Sequence, residues 1–245
     1  MTTGPFALRD LWPLYDLRVR TGELELRYPT EAELPAFADI IEAGLHPQGE
    51  MPFGLAWTDA ATTDRNFASY QWWVGSRARW SVESWVLTLG VWEGGRPVGF
   101  QDVRAEQFPV FRTVHTGSWL GLPFQGRGIG KLMRQAALGL AFDHLGARVA
   151  ETSAFLDNHA SNRVSHGVGY EPNGFGELAP HGVPRPTQNF RMTLEAWRSR
   201  PRPEIVVVGL AGCLHLFGID AGDPTGGASS AERPTGGAGP QPASA

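Results

Sequence analysis

The chain has a single cysteine, Cys213, in its 245 residues, so no intrachain disulfide can staple it. It has one lysine, Lys131; every other basic residue is arginine. No stretch offers 18 consecutive apolar residues, which excludes a membrane-spanning helix. No basic run accompanies the formal net charge of −4, so the electrostatic footprint of a nucleic-acid binder is missing. The opening, MTTGPFALRDLWPLYDLRVR, has charges where an export leader needs a continuous apolar core, and a cytoplasmic location is expected. The seven histidines show no zinc-like spacing with acids or cysteine, so no metal is expected. Large apolar side chains are almost lacking from 221 to 245, AGDPTGGASSAERPTGGAGPQPASA. Such a stretch cannot bury enough surface to offset chain entropy, and a disordered tail over 220–245 is expected.

What is present is ordinary for a soluble globular protein: 42% hydrophobic and 19% charged residues. The remaining length fits one large domain, read as 23–219 behind an extension at 1–22. Cys213 lies in the apolar run VVVGLAGCLHLFG, with no partner base in view, and reads as a small buried hydrophobe.

Along the chain, ELELRY (23–28) alternates as a strand does. Thr30-Glu31-Ala32-Glu33 is a capping box opening a helix to about Ala43. A Pro- and Gly-punctuated loop follows, then a helical segment from Thr58 to about Trp80. Strands are expected at 85–92, 97–107 and 112–120, the first two joined by a turn at Glu93-Gly94-Gly95-Arg96. A helix over 128–145 places Ile129, Leu132, Met133, Ala136, Ala137 and Leu140 on one face; Leu138 and Phe142 lie off it, which predicts packing on two sides. A strand at 147–153, a short helix at 158–168, strands at 174–178 and 187–194, and an edge strand at 204–208 complete the pattern. This is an α/β arrangement, a mixed sheet with helices on both sides.

The chemistry sits in WLGLPFQGRGIGK (119–131), where a strand ends, a glycine-rich turn follows and an amphipathic helix begins. Glycines let backbone amides point inward, and the first helical turn has unpaired N–H groups and a partial positive charge. Together Gln125, Gly126, Arg127, Gly128, Ile129 and Gly130 make a cradle for a phosphate or pyrophosphate, with Arg127 and Lys131 adding charge. A Walker A loop is ruled out because Gly130-Lys131 is followed by Leu132, and a dinucleotide fingerprint because its third glycine position holds Lys131. A purely structural helix-capping turn is the remaining alternative.

QGRGIG matches the Gln/Arg-x-x-Gly-x-Gly/Ala signature of the GNAT acyltransferases. DNHASNRVSHGVGY (157–170) resembles that family's second signature, an Asn and a Ser opening a helix that ends in Gly-Phe or Gly-Tyr. Further likeness over about 20–197, including Met51-Pro52-Phe53, Trp57-Thr58 and FRMTLEAW (190–197), is to the branch of ribosomal-protein N-terminal acetyltransferases. The WPLYDLR opening and the SWLGL-x-x-Q-G text also resemble related bacterial acetyl- and succinyltransferases.

The resemblance implies a mixed, mostly antiparallel sheet of about seven strands, splayed between the fourth and fifth. It implies acetyl-CoA or succinyl-CoA as co-substrate, and an amine acceptor on a protein N-terminus, a lysine or a small molecule. A homo-oligomer stays open. The pantetheine arm would pair with Trp119, Leu120 and Leu122, and an amide near Leu120 would polarise the thioester carbonyl. Asn158 and Ser161 would contact the ligand, although Asn158 can equally cap its helix. His115 is the first candidate for general base, with Asp102 and Glu106 behind it; a plain strand histidine is the competing reading. Relatives carry an acidic tyrosine where this chain has Ser165, which leaves acid catalysis in doubt and keeps a non-catalytic acyl-CoA-binding module as the alternative function. Met51, Phe53, Trp57 and Trp73, with Trp72, would wall the acceptor pocket, or else serve as core.

Deleting 221–245 is expected to leave melting temperature and turnover unchanged; a loss of several degrees in a thermal scan would show that the segment docks on the domain.

Overall fold

The computed structural model describes residues 6–219; the expected tail lies outside the described residues. Nine strands are found among them: β1 (Arg18–Thr21), β2 (Leu24–Arg27), β3 (Ser84–Glu93), β4 (Arg96–Glu106), β5 (Thr113–Leu120), β6 (Val149–Phe155), β7 (Glu171–Leu178), β8 (Arg185–Thr193) and β9 (Val206–Val208). They form one open sheet in the order β7-β8-β6-β5-β4-β3-β2-β1-β9. Every neighbouring pair is antiparallel except β5 and β6. The helices are α1 (Leu8–Leu11), α2 (Leu34–Ala43), α3 (Thr62–Ala78), α4 (Phe108–Phe111), α5 (Ile129–Gly139), α6 (His159–Val168) and α7 (Leu194–Arg198). No helix among the described residues is long and apolar enough to cross a membrane.

The strand that the sequence did not reveal is β1, within the stretch read as an extension. Only Val19 and Thr21 of its four residues are buried, too short an alternation to stand out. It nevertheless pairs with β2 on one side and β9 on the other, and Leu14, Tyr15 and Leu17 before it are in the core.

The Thr30 capping box forms: Glu33 Oε2 accepts from the Thr30 N–H and hydroxyl, each at 2.9 Å. Its first turn is a 3-10 turn over Glu31–Glu33, and α2 proper begins at Leu34. Helix α5 packs on both sides as its two apolar ridges require. Met133, Ala136, Ala137 and Leu140 are buried, and so are Leu138 and Phe142. Each large apolar side chain so buried contributes about 1.5–3 kcal/mol. The helix closes with a π turn over Leu140–His144, and Phe142 stacks on Trp197 at 5.8 Å. Cys213 is fully buried, and burial pushes its thiol up to about 11, so it is inert as a nucleophile.

Two layers of helix enclose the sheet. Phe37 of α2 packs on Phe100 at 4.4 Å, on one face. On the other, α5 and α6 pack on each other across Gly130 and Val164. Strands β4 and β5 approach closely at their ends, where a Cβ on Gly99 would overlap the Trp119 carbonyl oxygen and lie 3.0 Å from Leu120 Cα. Both are backbone atoms that cannot swing aside. Gly99→Val is expected to destabilise the protein by about 3 kcal/mol, read as a lower denaturant midpoint at unchanged slope.

Candidate active site

Strands β5 and β6 share three rungs only: Thr113–Val149, Val114–Ala150 and His115–Glu151. Beyond them the two strands separate, and at the branch the Thr152 hydroxyl donates to the Thr116 carbonyl at 2.8 Å. The other edge of β5 stays paired with β4 as far as Leu120, and the Gly121 N–H donates to Val98 O at 3.0 Å. Hydrogen-bonded and non-bonded pairs alternate in an antiparallel ladder. Counting back from Gly121, Trp119 and Gly117 bond to β4, so the N–H groups of Ser118 and Leu120 point into the fork. The expected splay is present, between β5 and β6.

The glycine turn opens at the mouth of this fork. Gly126 (φ 73°) and Gly128 (φ 85°) are left-handed, a conformation that other residues adopt only under strain. Gly128 caps α5, and the N–H groups from Gly126 to Gly130 have no acceptor among the described residues. Arg127 is tied to Glu93 at 2.9 and 3.0 Å, while Lys131 is exposed on the first turn. Ile129 is buried and anchors the turn. An open cleft of about 440 Å³ runs beside the loop, lined by Gly128, Lys131, Leu132, Gln135 and Arg202. Gln125 faces inward: its amide donates to Leu120 O at 2.9 Å and Leu45 O at 2.8 Å. It thus braces the loop and the strand end together, while Leu122 N bonds to Gly44 O at 3.0 Å.

Asn158 caps α6, its Oδ1 accepting from Ser161 N at 3.0 Å. Ser165 is 1% exposed, and its hydroxyl has no hydrogen-bond partner among the described residues. The nearby tyrosine, Tyr170, is committed elsewhere: its hydroxyl bonds Thr116 Oγ1 at 2.9 Å, and burial raises its pKa.

Alternation sorts the remaining groups by face. Thr116, Ser118 and Leu120 face α5 and α6; His115, Gly117 and Trp119 face the other way, beside Arg104, Asp102 and Phe100 of β4. His115 Nδ1 lies 3.8 Å from Glu151 Oε2. Burial lowers its pKa, Glu151 opposes that, and Arg104 adds to it. Asp102 differs. Burial pushes its carboxyl up to about 7 against the pull of Arg104. That carboxylate has no hydrogen bond or ion pair among the described residues, and opposite it Gly117 leaves open space. Glu106 is far down β4, where Ser84 donates to it at 2.9 Å.

The chain from Gly44 to Asp59, which includes the Met51–Trp57 segment, forms a strap from the end of β5 to the β7–β8 hairpin. It starts from the contacts of Gly44 and Leu45 with the glycine loop. It ends on the β7–β8 hairpin, where Arg185 donates to Met51 O at 2.8 Å and His181 meets Asp59 at 2.6 Å. Phe53 and Trp57 pack together at 5.2 Å, and the Thr58 hydroxyl points at the Met51 sulfur. Trp73 lies elsewhere, 3% exposed against Tyr28, and Trp72 is on the outer surface of α3. Two residues escaped the sequence reading. Arg185 also grips Asp157 through two bonds of 2.9 and 3.0 Å and lies over Phe155. Arg134 is buried beneath the fork. Nothing local marks Arg185, but Arg134 shares the 134–138–142 ridge with Leu138 and Phe142, and a charge on a ridge expected to pack was a usable signal.

Gly128→Glu would put a carboxylate where the cradle presents unpaired N–H groups. It should leave a folded protein whose affinity for CoA, measured by calorimetry, falls more than tenfold; binding within threefold of wild type would refute the cradle.

The structure resembles solved acetyltransferases closely enough to share their fold. Mycobacterium smegmatis RimJ in complex with CoA-disulfide aligns with a TM-score of 0.62 at 19% identity, over 78% of this chain and 91% of that one. RimL, a ribosomal-protein α-N-acetyltransferase in complex with coenzyme A, gives 0.56 at 18%, over 73% and 99%. The microcin self-immunity acetyltransferase MccE, in complex with acetyl-CoA and AMP, gives 0.52 at 18%, over 70% and 92%. A sequence model of the acetyltransferase (GNAT) domain matches residues 23–171, which hold the glycine loop, most of the fork and the Asn158 cap, and the chain belongs to that family.

Proposed function

We propose that the protein is an acyl-CoA-dependent N-acyltransferase that passes an acetyl or succinyl group directly from CoA to an amine. The observation that carries this reading is the fork: two inward N–H groups, of Ser118 and Leu120, continue the line of unpaired amides of the glycine loop. An extended pantetheine arm can add to β5 there as a further strand, with the pyrophosphate on the α5 N-terminus. The Leu120 N–H would polarise the thioester carbonyl. Gln125 and Asn158 hold the loop and the α6 cap in place, and Ser161, on the first turn of α6, would contact the ligand. RimJ and RimL, with their bound CoA, support the same placement by their shared fold.

Asp102, rather than His115, is assigned the proton. The amine nitrogen attacks the carbonyl carbon, the C–S bond breaks, and the amine proton passes to Asp102, directly or through water. A base is most effective when its pKa lies near the working pH, and a value of about 7 meets that condition. Such a base suits an α-amine, whose ordinary pKa is about 7.7–8.0, better than a lysine near about 10.4. A protein N-terminus threading under the Met51–Trp57 strap is therefore the favoured acceptor. Ser165 supports the alternative of a binding module without chemistry, since serine is a weak acid. A CoA thiolate leaves readily and can take its proton from water, so that feature does not outweigh the poised carboxylate.

Asp102 must be ionised to act. Turnover should rise with pH through about 7 and fade below it. Asp102→Asn should lose roughly 10²–10³-fold in kcat and lack that acid limb. A raised pKa also means that ionisation opposes folding, so the variant should be more stable than wild type at pH 8. If Asp102→Asn keeps the acid limb and His115→Ala abolishes it, His115 is the base.

A further inference from the structure

Arg134 has a burden that the transfer of an uncharged acyl group leaves unexplained. Its side chain is 3% exposed, on the face of the sheet covered by α5 and α6. A buried guanidinium stays charged, and a buried charge without a counter-ion costs several kcal/mol. Among the described residues no carboxylate pairs with it. Its hydrogen bonds go to hydroxyls: Nη2 to Ser118 Oγ at 3.0 Å and Nη1 to Thr152 Oγ1 at 3.4 Å. The Tyr170 hydroxyl stands beside it, and Nε has no hydrogen-bond partner among the described residues. Hydroxyls orient a guanidinium but do not neutralise it.

The place of this charge is informative. Ser118 is one of the two residues whose N–H groups enter the fork, and Thr152 sits at its branch point. Arg134 therefore lies beside the closed end of the slot, on the side covered by α5, further along β5 than the position where Leu120 would hold a thioester. Two residues of strand separate Leu120 from Ser118, about 6.7 Å. An acetyl methyl ends about 1.5 Å beyond the carbonyl carbon and leaves the cation facing hydrocarbon. A four-carbon diacid half-thioester extends about 3.9 Å over three carbon–carbon bonds. A charge-assisted hydrogen bond of about 2.8 Å then closes the remaining distance. The guanidinium fork also matches a carboxylate better than any neutral group.

We propose that Arg134 receives the distal carboxylate of a short dicarboxylyl-CoA, best fitted by four carbons, and so sets the donor specificity of the fork. The anion replaces the missing counter-ion, and Ser118, Thr152 and Tyr170 hold the guanidinium in aim. The inference rests on the acyl-CoA reading of the fork given above.

Calorimetry with CoA, acetyl-CoA and succinyl-CoA tests it without knowledge of the acceptor. The wild-type protein should bind succinyl-CoA at least tenfold more tightly than acetyl-CoA. Arg134→Met, similar in length and uncharged, should bring the two within threefold while CoA itself binds as before. Arg134→Lys should keep part of the preference. If wild type binds CoA but does not prefer succinyl-CoA, the proposal falls while the acyltransferase reading stands, and this arm needs no variant to fold. If wild type binds no CoA, both fall. If Arg134→Met weakens all three ligands equally, Arg134 is only a structural support and the proposal is overturned.

Discussion

The structure around the site depends on one constraint: parallel pairing between β5 and β6 stops after three rungs. Strand pairing ordinarily continues as far as both strands extend, because each unpaired backbone group withdrawn from water is costly. Here β5 runs five residues and β6 four beyond the last rung, and the surroundings accommodate the break. Thr152 takes one carbonyl, Gln125 takes another at the far end, and the inward N–H groups are left to a ligand. Gly99 lets β4 hug the far edge of β5, which keeps that strand straight when its other neighbour departs.

Around that break, charge is segregated by face. Asp102, His115, Glu151 and Arg104 share one side of the sheet, and Arg134 lies on the other, where its hydrogen bonds among the described residues go to hydroxyls. Burial acts on both Asp102 and Arg134, but with different outcomes. A carboxylate can respond by holding its proton up to about pH 7, whereas a guanidinium cannot shed its charge and must find an anion. The same desolvation thus suggests a proton acceptor on one face and an anion receptor on the other.

Local features were legible in the sequence; long-range ones were not. The glycine loop, the capping box and the two ridges of α5 each depend on residues within a few positions of one another, and all were found as read. The fork itself came from the family resemblance, since no periodicity encodes where two strands part. Strand β1 was missed because four residues with one apolar side chain among them give too little alternation. The bracing role of the Gln125 side chain was not legible, because its partners Leu45 and Leu120 are brought together only by the fold. Asp102 was read as a candidate base only behind His115. What distinguishes it is the open space opposite, at Gly117, and a half-buried carboxylate with no hydrogen bond or ion pair among the described residues, neither of which a single sequence shows.

Thr152 has an effect out of proportion to its size. Two parallel strands with free edges tend to close on one another, each new bond making the next easier to form. By occupying the Thr116 carbonyl from the side, its hydroxyl removes the bond with which that closure would begin. The slot is consequently held open by the protein's own chemistry, and an incoming chain finds a strand edge already exposed and rigid. Little of its binding free energy is then spent on prising the sheet apart, and a valine at this position, with the same shape and no hydroxyl, would let the edge drift toward closure.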